Sequence, residues 1–149
     1  MEGEDDGACA AGSSAQTAQM GFAHAKLQLR NPRFQDLQPI EVHALVDSGA
    51  ITICLPEHVA RQLQLTEVEI REGTVANGQR QLVPYAGPLQ ITFQNRSCFT
   101  GAFVCGNQVL LGAVPMEDMD LVIHPLKQEV TVNPESPNFA SGLVMGVRY

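Results

Sequence analysis

The chain has 149 residues, 44% of them hydrophobic and 17% charged, enough for one folded domain with its own core and no need of metals or disulfides. Its net charge of −7 owes four units to Glu2, Glu4, Asp5 and Asp6, and the twelve later acids face nine bases without any Lys/Arg cluster, which argues against nucleic acid as the main partner. No apolar run is long enough to span a membrane and the start is acidic rather than basic and then apolar, so a cytoplasmic protein with no membrane partner is expected.

Residues 1–20 are small, polar and acidic, with no apolar period, and are read as a disordered tail. A domain is expected over 21–137 and a separate C-terminal segment over 138–149. The first strand is expected at 22–30, where Ala23, Ala25, Leu27 and Leu29 alternate with His24, Lys26 and Gln28. Asn31-Pro32 ends it, and Pro39 precedes a second alternating strand at 40–46. Asp47-Ser48-Gly49 follows where this strand stops. That tripeptide is either a plain turn, since Asp and Ser bond nearby amides and Gly permits positive φ, or a catalytic carboxylate presented from a rigid strand end.

Residues 51–55 are strand-like, and 55–63 read as a short helix with Pro56 in its first turn, Glu57 at its positive end and His58 on the surface. Residues 69–76 and 81–85 form strand-like arms around Asn77-Gly78, a strong signal for a two-residue hairpin turn. Either an ordinary surface hairpin or a functional one fits these residues. Further strands are expected at 88–93, 98–105, 109–111, 121–123 and 129–132, with a short helix at 114–119. The apolar tail 143–149 reads as an edge strand, which would invite pairing with another chain. Such a run of short strands predicts an all-β fold with closed β-barrel character and one or two short helices. His24 and His43 fall in the polar phase of their strands. Cys9, Cys54, Cys98 and Cys105 show no Cys-x-x-Cys pairing and no His at metal-ligand spacing, so reduced thiols are expected and no metal site is. A bridge between Cys98 and Cys105 across a hairpin stays open for an exported protein.

Leu45-Val46-Asp47-Ser48-Gly49-Ala50, followed by another strand-like run, resembles the active-site loop of the retropepsin-like (retroviral-type) aspartic proteases, here a small, single-domain, bacterial-type member. Val109-Leu110-Leu111-Gly112, leading into residues 113–119, is similar to that family's apolar-apolar-Gly segment and C-terminal helix. Gly112 follows Asp47 by 65 residues, a spacing similar to that of one retroviral-type subunit. The resemblance implies the family's closed barrel, Asp47 as catalytic residue, and Ser48 and Gly49 as loop support, Ser48 standing where many relatives carry Thr. It implies substrate contacts from Gly49, Ala50, Ala76, Asn77 and Gly78, with the hairpin as a flap over a protein or peptide substrate. Gly112 would pack behind the Asp loop.

The family's chemistry needs two carboxylates sharing a proton, and no cofactor. None of the remaining aspartates, Asp5, Asp6, Asp36, Asp118 and Asp120, is followed by Ser/Thr-Gly. The resemblance therefore implies a homodimer with one Asp47 from each copy, its terminal strands paired across the interface. A catalytically silent dimer of the same fold that binds or scaffolds peptides is the alternative. The third reading is an unrelated β-barrel in which Asp47 only turns the chain.

Overall fold

The computed structural model describes residues 23–75 and 77–145. They form nine strands and two short helices: β1 (His24–Arg30), β2 (Ile40–Val46), β3 (Ile53–Leu55), α1 (Glu57–Gln62), β4 (Thr66–Thr74), β5 (Arg80–Phe93), β6 (Arg96–Val104), β7 (Leu110–Leu111), α2 (Ala113–Asp118), β8 (Leu121–His124) and β9 (Glu129–Val132). The fold is all-β, as the succession of short alternating segments predicts. The expected tail over 1–20, residue Phe22 of the first strand and the end of the C-terminal segment, 146–149, lie outside the described residues.

The strands pair in the order β4-β5-β6-β3-β7-β2-β1-β9-β8, and β1 also pairs with β5, which closes β5, β6, β3, β7, β2 and β1 into a ring. β1 holds this ring together because both of its edges are used. It runs antiparallel to β2 from His24↔Leu45 to Leu29↔Ile40, antiparallel to β5 at its far end, and touches β9 through His24↔Glu129. Its alternation is met in full: Ala25, Leu27 and Leu29 are buried while His24, Lys26 and Gln28 face solvent. Leu27 and Leu29 join Val46, Ile53, Leu55, Leu89, Ile91, Leu111 and Met119 in one apolar core. Burying each such side chain fully stabilises the fold by about 1.5–3 kcal/mol relative to exposure.

Three expectations need correcting. The separate strands at 81–85 and 88–93 are one 14-residue strand, β5. Gly87 and Pro88 sit where its register with β6 shifts between Ala86 and Leu89, and a bulge tolerates a residue without an amide donor. The hairpin turn at Asn77-Gly78 is not a two-residue turn. Val75 donates its N–H to the Gln79 carbonyl, so three residues lie between the closing pair, and the Gly78 amide returns to the Val75 carbonyl at 2.9 Å. Among the described residues of the turn only Gly78, with φ 87°, adopts the left-handed region, which fits a turn followed by a bulge glycine.

The strand expected over 51–55 begins only at Ile53, because Ala50 and Ile51 direct their carbonyls to α2. Of the apolar tail expected as an edge strand, residues 143–145 are described, and they are exposed and outside any strand; the rest lies outside the described residues. Cys54 and Cys98 are buried free thiols, so Cys98 forms no bridge with Cys105. Burial, reinforced by the charge of Asp118, pushes the Cys98 thiol up to about 12.

Candidate active site

β2 lies between β1 and β7, and its last three residues, Ala44, Leu45 and Val46, are buried. Parallel pairing sets Val46 beside Leu111, so the chain reaches Asp47 already clamped on both sides. Val46 donates its N–H to the Ala23 carbonyl, and Asp47 donates its own to the Leu111 carbonyl, each at 2.9 Å. The carboxylate is fixed next. Asp47 Oδ1 accepts the Gly49 amide at 2.9 Å, and the Asp47 carbonyl accepts the Ala50 amide at 3.0 Å, a side-chain and a backbone turn superposed on one residue. A Cβ at Gly49 would sit 3.2 Å from Oδ1, so glycine gives this carboxylate its clearance.

The two sequence segments of the resemblance meet here. Gly112 precedes α2 with no side chain to cap it, and the first helical amides would be orphaned. The Asp47 loop satisfies them: Ala113 donates to the Ala50 carbonyl at 2.8 Å and Val114 to the Ile51 carbonyl at 2.9 Å. The approach is so close that a Cβ on Gly112 would lie 2.2 Å from the Thr52 carbonyl oxygen and 2.5 Å from that of Ala50. Only glycine fits at this position.

Three further groups support the loop. The Thr52 hydroxyl, nearly fully buried, is 3.2 Å from the Thr100 hydroxyl and 3.4 Å from the Gly101 carbonyl, tying the loop to β6. Cys54 lies inward, packed with Leu45 and Leu110; burial, and then the negative charge of Asp47, pushes its thiol up to about 11. Outward, Asp47 and Ala50 are half-buried, Ser48 and Gly49 are exposed, and Ile51 is 65% exposed. The arrangement is a carboxylate on a rigid base with an open face.

The β4–β5 hairpin projects from the body. Every residue of β4 except the half-buried Gly73 is exposed. The bonds of its tip run within it, Gln79 N–H donating to Asn77 Oδ1 at 2.9 Å, and a Cβ at Gly78 would meet nothing within 4 Å. Glycine is needed there for its φ and not for a close approach. Asn77 and Gly78 are exposed, and Ala76 lies outside the described residues. At the hairpin base the Tyr85 ring packs on Gly101, where a Cβ would be 2.3 Å from the ring. Arg71 lies 3.6 Å above that ring, and Phe103 meets it edge-on at 5.4 Å.

Sequence reasoning identified the Asp47 loop and the Gly112 segment, and the structure brings these together. It missed Thr52, Thr100, Cys54 and Tyr85. Only the Thr at the inward phase of an otherwise apolar strand start marks Thr52, and the others carry no local signal. Among the described residues no three His, Cys, Asp or Glu side chains are grouped to hold a metal, and no helix is long and apolar enough to cross a membrane. Three surface clefts of about 490 Å³ lie away from Asp47, one beside α1, one lined by Phe99 and Tyr85, and one lined by Asn31 and Gln90.

No family model matches the chain, and no curated protein matches it. Among solved structures it is similar to the EIAV protease in complex with an inhibitor, with a TM-score of 0.48 and 17% identity, the match covering 65% of this chain and 86% of that one. A likeness of that degree assigns no role to any residue.

Proposed function

We propose that the chain is one half of a two-fold aspartic endopeptidase, in which Asp47 from each of two copies forms the catalytic pair. The observation that carries this reading is the Asp47 loop: a carboxylate with a single internal amide donor, held on a buried strand end and backed by Gly112 at a distance no side chain permits. A turn that merely reversed the chain would not need such backing.

In this reading the two carboxylates titrate as a unit. The ionised one accepts a proton from the attacking water, and the protonated one donates to the oxygen of the scissile carbonyl. Each Gly49 amide holds its own Asp47 in place. Ser48 and Thr52 stiffen the loops, Ala50 and the exposed Ile51 offer the first substrate contacts, and the hairpin tip at 76–78 closes over the peptide and excludes water. A cytoplasmic setting belongs to this reading on the sequence alone.

The test is cleavage of a peptide library from acid to neutral pH by wild type and Asp47→Asn, with assembly followed by sedimentation. Cleavage that vanishes in the variant while the dimer persists supports the pair. A dimer that binds peptides but never cuts them selects the binding-module alternative, and a chain that stays monomeric rejects the two-fold site.

A further inference from the structure

The segment that follows β9 is fastened to the body without contributing to the core. From residue 133 to residue 145 no side chain is buried; Asn133 and Ser136 are half-buried and the rest exposed, Phe139 at 82% and Leu143 at 91%. Its attachments are polar, and most converge on one residue.

Asp120 stands at the end of α2 in the left-handed region, φ 56°, which turns its carboxylate toward this segment. Its Oδ1 accepts Asn133 Nδ2 at 3.1 Å, its Oδ2 accepts both the Ser136 hydroxyl and the Ser141 amide, the latter at 3.0 Å, and its carbonyl accepts the Asn133 amide at 3.1 Å. From β6 and the turn before it come two more clasps. Arg96, 3% exposed, donates Nη2 to the Ser136 carbonyl, and Asn95 Nδ2 donates to the Pro137 carbonyl at 3.0 Å. The segment folds on itself as well, Asn133 accepting the Glu135 and Ser136 amides, each at 3.0 Å.

We infer that residues 133–142 form a strap that unfastens as one unit while the strand ring stays folded, with Asp120 as its release point. The reason is the asymmetry of its contacts. A segment held by apolar burial loosens only as the core loosens, but one held by converging hydrogen bonds to a single carboxylate loses them together when that carboxylate is changed. Arg96 strengthens the dependence: its Nε and Nη1 are buried with no protein partner, and the Asp120 charge is the counter-charge acting with it. Release of the strap would free the exposed apolar stretch 143–145 to reposition, a control the proposed proteolysis neither requires nor explains.

Amide hydrogen exchange by NMR on the full chain tests this with Asp120→Asn and Ser136→Ala. Asn133, Glu135, Ser136 and Ser141 are expected to exchange at least about tenfold faster in Asp120→Asn and to rise by a common factor, with a smaller common rise in Ser136→Ala. The amides of Leu27 and Ile91 should stay as slow as in wild type. Strap amides that remain protected in both variants overturn the proposal. So do strap amides that respond one at a time, and so does a core that loosens along with the strap.

Discussion

Two aspartates at the ends of regular elements, Asp47 after β2 and Asp120 after α2, are used in opposite ways. Asp120 has both carboxylate oxygens engaged, by Asn133, Ser136 and Ser141, with Arg96 as counter-charge. Asp47 has one oxygen engaged, by the Gly49 amide, and its neighbours Ser48 and Gly49 lie open to solvent. A carboxylate whose acceptor sites are filled is committed to structure, because proton transfer or a new contact would cost it existing bonds. One held by a single donor on a stiff base keeps its remaining lone pairs for a ligand. The contrast separates a fastening from a candidate reagent without appeal to any relative.

Replacing each residue breaks that comparison in a different currency. Asp47→Asn should lower peptide cleavage about 10³-fold, within the usual range for removing a general acid or base, while the urea midpoint moves little, since Asn can still accept the Gly49 amide. Steady-state cleavage and equilibrium unfolding, run on the same preparations, separate the two effects; a large loss of stability with Asp47→Asn would make it a structural residue of the body. The second-largest effect is expected behind the loop. Gly112→Ala forces a methyl to within 2.2 Å of a backbone carbonyl oxygen, and neither the loop nor α2 yields without giving up the Ala113 and Val114 hydrogen bonds. Destabilisation of about 1–3 kcal/mol is expected, as for overpacking elsewhere, visible as a lower urea midpoint at unchanged slope.

The legibility of the two aspartates differs for the same physical reason. Asp47 is readable because its determinants are local: a period-2 strand before it, Ser-Gly after it, and a glycine segment with its own apolar signature. Its supports are less so, since Thr52 and Thr100 are 48 residues apart and neither stretch hints at the other. Asp120 reads as one more acid after a helix, because its partners lie 13, 16 and 21 residues downstream in a stretch whose Asn, Pro and Ser content suggests only a loop. The ring was partly legible. β1 and β2 alternate and were placed nearly to the residue, but Gly87-Pro88 reads as a break and hides the strand that carries the body into the hairpin.

A smaller effect sharpens how far the Asp47 charge reaches inward. With its thiol at about 11, for burial first and Asp47 second, Cys54 should be alkylated slowly at pH 8, where only about one thiol in a thousand is ionised. Asp47→Asn removes the second cause and not the first, so the Cys54 alkylation rate, followed by mass spectrometry across pH 8 to 10, should rise modestly and keep its pH slope. An unchanged rate would mean that the charge is spent wholly on the solvent side.

The smallest effect concerns acid. The Ser136 hydroxyl foremost, then Asn133, the Ser141 amide and Arg96, hold the Asp120 carboxyl below its usual range. A carboxyl depressed in the folded state favours that state fully above the pKa of the free carboxyl, and the contribution is lost as pH falls through the depressed folded value. Strap protection should therefore be flat through neutral pH, begin to decline as pH falls into the range where free carboxyls titrate, and go on falling down to the lower folded value of Asp120. In Asp120→Asn the strap should start from its weaker level and show no such decline. Exchange of the Ser141 amide, normalised to Ile91 at each pH, gives both curves. If the variant still lost protection along the wild-type acid limb, the titrating group would be another one, and the opposition between a committed carboxylate and an available one would have to be drawn elsewhere in the molecule.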